Sequence, residues 1–299
     1  MTRLEKRGTL LVLSTAFISG FSIFANKFGV SGFDPYLFAW LKNASVAFLL
    51  GALLLGSGNI GKLKALNVKQ WGLLALIGLV GGSIPFLLFF KGLSLTSAAS
   101  ASFIHKTMFV YVAFLAAVFL GEKLNARVLA AGLALLLGNV LFLKVLRLSL
   151  GTGDVLVFLA TLLWAVENVI SKYALRELAS SVVAFGRMAF GSVFILSFLL
   201  FGGYLNGIAD LTTAHWVWVL VTSAFLFGYV STWYAGLKHV KATVATSVLL
   251  LGGPVTAFLA FATTSALPDI GQVLGIMLLV LGVITIGRVY ELVRPSAGY

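Results

Sequence analysis

Cysteine is absent from this sequence, so neither a disulfide nor a thiolate metal site can form. Charge is scarce as well. Asp, Glu, Lys and Arg make up 10% of the residues and only 9 are acidic, whereas a soluble domain carries about 25% charged residues. No phosphate-binding loop of the Walker A kind occurs, which excludes ATP drive within this chain. No His, Asp or Glu grouping has metal-ligand spacing and no nucleophile stands in register with a base. An intramembrane hydrolase or transferase would need such a constellation, so no enzymatic activity, no metal and no cofactor are expected. Long polar linkers and low-complexity tracts are missing too, leaving nothing from which to build a soluble domain.

Apolar sequence fills the space. The hydrophobic fraction is 60%, the mean hydropathy is +1.07, and runs long enough to cross a bilayer follow one another almost without interruption. Ten spans are expected, near residues 9–28, 35–56, 71–91, 98–120, 126–144, 154–173, 181–202, 215–236, 243–264 and 271–288. "MTRLEKRGTL" opens a full-length span without a small-residue cleavage site and reads as a retained first helix. The expected fold class is an all-α integral membrane protein with the lipid bilayer as its surroundings.

The net charge of +12 is explained by topology. With ten spans, 14 of the 21 basic residues fall on the N-terminal side, in clusters such as Arg3, Lys6 and Arg7 or Lys62, Lys64 and Lys69, and only Lys27, Lys144 and Arg147 fall opposite. Basic residues collect on the cytoplasmic side, which places both termini in the cytoplasm of a cell-membrane protein. No nucleic-acid motif accompanies the charge, so nucleic acid is excluded as a partner.

The two halves echo each other. At an offset of 145, Lys27 meets Lys172, Lys42 meets Arg187 and Phe109 meets Pro254; at 144, Gly92 of "FFKGL" meets Gly236 of "WYAGL". Five spans per half is an odd number, so the second half is expected to sit inverted, giving units 1–147 and 148–299 around a central cavity. Inverted repeats suit carriers that alternate access about a midplane site. "GFSIFANKFGV", "FAWLKNASVAFLL", "FLLFFKGLSLTSAASAS" and "LAAVFLGEKL" are echoed by "FLATLLWAVENVISKYAL", "AFGRMAFGSVFIL", "YVSTWYAGLKHVKATVATSVL" and "GGPVTAFLAFATTSAL". In this order the chain resembles the ten-helix EamA-type branch of the drug/metabolite transporter superfamily. That resemblance implies a secondary carrier, often an exporter of amino acids or related metabolites, and leaves the substrate open.

Charges inside spans cost about 2.5–3.5 kcal/mol on insertion scales, so they normally face a cavity or a partner. His105 and Lys106 in "SFIHKTMF" are the first candidates. Lys106 either pairs with Glu167 of the other half or attracts an anionic group of a small-molecule substrate. His105 lies about 100° round the helix from it, so the two cannot share one narrow cavity; it either titrates or packs. Glu167 with Asn168 would bind an amine or a coupling proton. Trp164, three residues before Glu167, and the pair Tyr229 and Trp233 could stack on a substrate or fill the core. Lys42 and Arg187, at opposite depths, are expected to gate opposite entrances or to snorkel. Pro85 after "GLVGGS" and Pro254 after "LLLGG" are expected to act as cavity-lining hinges, because such interruptions free backbone groups that must be satisfied. Amino-acid export is the leading expectation. Exchange of phosphorylated or dicarboxylate anions is the alternative suggested by the basic surplus, and proton-driven export of organic cations is a further one.

Overall fold

A computed structural model describes residues 2–123, 125–142, 151–262 and 269–292. All the regular elements among them are helices, in the order α1 (Arg3–Val30), α2 (Pro35–Gly56), α3 (Gly61–Lys64), α4 (Val68–Ile77), α5 (Ile84–Leu95), α6 (Ala98–Lys106), α7 (Met108–Leu120), α8 (Ala126–Phe142), α9 (Thr152–Ala174), α10 (Ser180–Gly202), α11 (Thr213–Leu237), α12 (Ala242–Leu249), α13 (Gly252–Ala262) and α14 (Ile270–Leu292). A π-helical turn, Gly78–Ser83, joins α4 to α5, and a short 3-10 turn, Tyr204–Ile208, follows α10.

Seven helical segments are long and apolar enough to cross a membrane: Arg3–Val30, Pro35–Gly56, Val68–Leu95, Ala98–Leu120, Thr152–Ala174, Ser180–Gly202 and Thr213–Leu237. Three shorter apolar stretches, Ala126–Phe142, Ala242–Thr256 and Ile270–Gly282, coincide with the remaining expected spans over the described residues. Helix starts follow from local chemistry. Thr2 and Glu5 form a capping box at α1, Asn67 and Gln70 form another at α4, and Asp34 accepts from the Tyr36 and Leu37 amides ahead of α2, each satisfying amides that have no partner within the helix. α7 ends at Gly121 and α10 at Gly203, both in the left-handed conformation that glycine adopts at no steric cost.

Close helix packing rests on glycine. α1 crosses α11 where Gly8 meets Gly236, α5 crosses α9 where Gly92 meets Gly153, and α8 crosses α14 where Gly138 meets Gly275. At each crossing a Cβ added to one glycine would come within 2.9 to 3.1 Å of the other's carbonyl oxygen. Small residues let helix backbones approach where lipid provides no hydrophobic drive.

Two lysines make matching contacts. Lys27 at the end of α1 donates to the carbonyls of Leu93, Ser94 and Thr96 at 2.9, 3.4 and 2.7 Å. Lys172 at the end of α9 donates to those of Leu237, Lys238 and Val240 at 2.7, 3.4 and 2.6 Å. Each ties off the carbonyl end of a helix, where positive charge is favoured. An acid answers each lysine on the same connection. Asp154 accepts from the Thr96 and Ser100 hydroxyls at 2.7 and 2.6 Å. Glu122 accepts from the Ala242 and Thr243 amides at 2.7 and 3.0 Å.

Two helix interruptions define the interior. Between His105–Lys106 and Met108 the chain turns through Thr107, whose hydroxyl folds back on the Ile104 carbonyl at 2.6 Å. The π-helical turn lies in "GLVGGS" just ahead of Pro85, where the missing proline amide could not have continued an α-helical ladder. A π turn holds one residue more than an α turn. The correspondence between the halves shifts in this same span: Val68 and Thr213, which open α4 and α11, are 145 apart, while Gly92 and Gly236 are 144 apart.

Gly82 at this turn is locked in place, because a Cβ there would sit 2.2 Å from the Arg187 carbonyl oxygen. Gly82→Ala is therefore expected to destabilise the protein by about 1–3 kcal/mol, the usual cost of overpacking. Gly72→Ala, with nothing within 4 Å of the new methyl, should be neutral; apparent melting temperatures of the two variants in detergent make the comparison.

Candidate functional site

A cavity opens between the two halves. One wall is α1, with Ser19, Ser22 and Asn26; its floor is the Phe86, Phe89 and Phe90 run of α5; His105 and Met108 face it from the break between α6 and α7. The second half contributes Trp164, Glu167 and Asn168 from α9, Arg187 from α10, and Leu226, Tyr229 and Trp233 from α11, while Lys42 of α2 closes the ring.

The π-helical turn organises one side. Its Gly81 carbonyl accepts from Trp164 Nε1 at 2.9 Å and from Arg187 Nη2 at 3.0 Å. The Gly82 carbonyl accepts from Asn43 Nδ2 at 2.7 Å. Backbone oxygens of the π-helical turn thus hold side chains from α2, α9 and α10. Gly81 must be glycine: a Cβ there would lie 2.2 Å from Glu167 Cγ and 3.1 Å from Arg187 Nε. The acid and the guanidinium therefore flank one bare patch of backbone.

Among the described residues, no counter-ion bond serves the buried charges. Lys42, 1% exposed, donates to Asn26 Oδ1 and stands 4.5 Å above the Phe90 ring centroid and 5.1 Å from that of Phe38. Cation–π attraction of this kind partly replaces lost water. The Arg187 guanidinium lies 5.5 Å from the Phe86 ring and 5.9 Å from the Tyr234 ring, and its buried Nε has no hydrogen-bond partner among the described residues. Glu167, 1% exposed, accepts from the Ser171 hydroxyl and from Tyr234 at 2.6 Å, both at Oε1; neither hydroxyl uses Oε2.

The remaining candidates sort clearly. Asn168 donates to the Trp164 carbonyl at 2.7 Å and accepts from Trp233 Nε1 at 3.0 Å, so it binds α9 to α11. Tyr229 and Trp233 stack at 6.1 Å. His105 packs edge-on to Trp164 at 5.2 Å and to Phe89 at 6.1 Å, and its Nδ1 is buried without a partner. Lys106 does not line the cavity. It donates to Ser19 Oγ at 2.9 Å and runs along Gly252 at the seam between α1 and α13; it does not bond Glu167. Lys42 and Arg187, expected at opposite entrances, line the same cavity. Pro85 is buried directly after the π-helical turn. Pro254 is not on this cavity; it lies against a separate, almost wholly apolar cavity with Phe142, Phe258, Phe261 and Leu279.

Sequence reasoning missed Ser19, Ser22 and Asn26. Their spacing of three and four residues puts them on one helical face, a polar stripe through the membrane-spanning part of α1. It also missed Ser171, one turn beyond Glu167, and Tyr234. Tyr234→Phe should cost about 1.5–3 kcal/mol, the usual worth of a hydrogen bond to a charged group, because it strips one of two donors from a buried carboxylate. The fall in apparent melting temperature should shrink in the Glu167→Gln background, where the acceptor oxygen remains but its charge is gone, if that bond is its source.

Comparison with known proteins matches two stretches of the chain, residues 6–144 and 151–288, to the EamA-like transporter family. An uncharacterized transporter of Archaeoglobus fulgidus is 28% identical over 96% of this chain and 96% of its own length. The uncharacterized transporter YyaM of Bacillus subtilis is 24% identical over 91% and 93%. One solved crystal structure superposes with a TM-score of 0.76 at 17% identity, over 96% of this chain and 99% of that one, a likeness of fold.

Proposed function

The chain belongs to the EamA-like transporter family, a multi-pass membrane transporter and not an enzyme, and from this premise we propose that it is a secondary carrier exporting amino acids or similar small metabolites by alternating access. Ten transmembrane helices form two inverted five-helix halves, 1–147 and 148–299, about the central cavity. The observation that carries the reading is the cavity's wall, where cations and an acid from both halves meet without bonding one another. Glu167 and Arg187 are neighbours over Gly81 without bonding each other, and Lys42 has only Asn26 and aromatic faces. Buried charge so incompletely paired is costly, and a ligand bearing the complementary charges would relieve that cost on entering. The matching lysine contacts of Lys27 and Lys172 support the two-halves description.

Arg187 and Lys42 take the anion-attracting role first considered for Lys106, which acts from behind Ser19. Glu167 receives an amine or a coupling proton, and His105, Trp164, Asn168, Tyr229 and Trp233 shape the walls. Pro85, buried behind the cavity lining, keeps the hinge role next to the π-helical turn. The surplus of cations over the single acid favours a second reading, exchange of phosphorylated or dicarboxylate anions.

Both termini are assigned to the cytoplasm at the cell membrane. Positive charge is concentrated at the end of the bundle where α1 begins: the His239 imidazole there is held below the ordinary histidine range by partial burial and then by Lys238, Lys172 and Arg7. The absence of cysteine makes the orientation simple to read. Lys62→Cys should resist a membrane-impermeant thiol reagent added to intact cells, and Asp210→Cys should react; the reverse pattern would invert the topology.

Function is tested by the thermal stability of the purified protein against zwitterionic amino acids, phosphorylated or dicarboxylic anions, and organic cations, since a ligand of the folded state raises apparent stability by mass action. Amino acids are expected to stabilise it, with the effect reduced in Arg187→Gln and retained in Lys106→Gln. Stabilisation by cations alone would reject both readings.

A further inference from the structure

The cavity's charges are arranged with a spacing, and that spacing constrains the ligand. Two of them are immediate neighbours: Glu167 and Arg187 flank Gly81 on α9 and α10. The third stands apart. Lys42 sits over Phe90, Arg187 sits against Phe86, and the centroids of these two rings are 5.9 Å apart, so an aromatic floor separates the two cations.

Each point keeps unused capacity toward the cavity. The Arg187 guanidinium carries five N–H donors and lines the cavity while giving one of them, from Nη2, to the Gly81 carbonyl. Oε2 of Glu167 is left over after Ser171 and Tyr234 have both bonded Oε1. The ammonium of Lys42 carries three donors and gives one to Asn26. Buried polar groups normally use their hydrogen-bonding capacity, and donors and acceptors that charged side chains lining a cavity leave over are what a ligand would satisfy.

We propose that the ligand is a small α-amino acid with an acidic side chain. Its α-ammonium and α-carboxylate, carried on one carbon, meet Glu167 Oε2 and the cavity-facing end of the Arg187 guanidinium, the two charged side chains that pack together over Gly81. Its second carboxylate crosses the Phe86–Phe90 floor to Lys42. Two cations and one acid on the wall then face one ammonium and two carboxylates, so every charge is matched. A neutral amino acid leaves Lys42 uncompensated, and a dicarboxylate without an amine leaves Glu167 uncompensated beside an incoming anion. This assignment rests on the reading of the central cavity as the substrate site and narrows the substrate class within it.

The experiment is calorimetric titration of the purified full-length protein with L-glutamate, L-glutamine and glutarate, three probes of nearly equal size. L-Glutamate should bind about tenfold or more tightly than either of the others, the discrimination expected when a buried charged partner is left unpaired. Lys42→Gln should erase the preference for L-glutamate over L-glutamine, and Glu167→Gln the preference over glutarate. Lys42→Arg, which keeps the charge, should preserve the first preference and guards against a folding artefact. Equal affinity for L-glutamate and L-glutamine in the unaltered protein overturns the proposal, as does equal affinity for glutarate or no binding of any probe. If L-glutamate binds but its affinity is indifferent to Lys42→Gln, Arg187→Gln and Glu167→Gln alike, the central cavity is not where it binds, and the reading beneath the proposal fails with it.

Discussion

A charge inside an apolar bundle must be solvated by something, and here the solvent is neutral protein. Lys42 leans on an amide oxygen and two aromatic faces, Arg187 on a backbone carbonyl, Lys106 on a serine, and Glu167 on two hydroxyls. Ion pairing would have been stronger pairwise, but it would also have closed the cavity and left nothing for a ligand to neutralise. Dipoles hold a charge in place and leave its field exposed. The construction of the interior follows from this choice: serine, asparagine and tyrosine stand at buried helix faces, and the π-helical turn presents the Gly81 and Gly82 carbonyls to side chains of three neighbouring helices.

The same economy operates at the ends of the bundle, where the charges are spent on structure. Lys27 and Lys172 gather the last carbonyls of α5 and α11, and Asp154 and Glu122 hold the starts of α6 and α12. These contacts join segments that a bilayer would not otherwise hold together, since lipid is as good a neighbour for leucine as another helix. Each acid comes from the opposite half to the connection it holds. The two halves are therefore buttoned to each other at both ends, and joined in the middle through the carbonyl of Gly81 beside the cavity.

Hydropathy made the spans legible, because run length and bilayer thickness are directly comparable, and the repeat was readable from basic residues spaced 145 apart. The site was legible as a set of residue types but not as a geometry. Adjacent positions on a helix point in different directions, so it was clear that His105 and Lys106 could not both enter one cavity; which of them does depends on how α6 is rotated against α1, and that is settled by Ser19 and Gly252. Lys42 and Arg187 were placed at opposite mouths by counting rise along their own helices. Such counting ignores tilt and the reach of a long side chain, and the two meet on one wall. The glycine pair in "GLVGGS" signalled an interruption, yet nothing in the sequence announced that it would take the form of a π turn whose oxygens organise the cavity.

That extra residue has a thermodynamic corollary. In a carrier assembled from two identical halves, the state open to one side and the state open to the other would be images of each other and equal in energy. Only one of the two corresponding spans carries the π turn, α11 being continuous where α4 and α5 are interrupted, so the degeneracy is lifted. Under the alternating access proposed above, the empty protein would then have a preferred facing direction fixed by its own chain, before any gradient acts on it, and the return of the unloaded carrier would be uphill in one direction and downhill in the other.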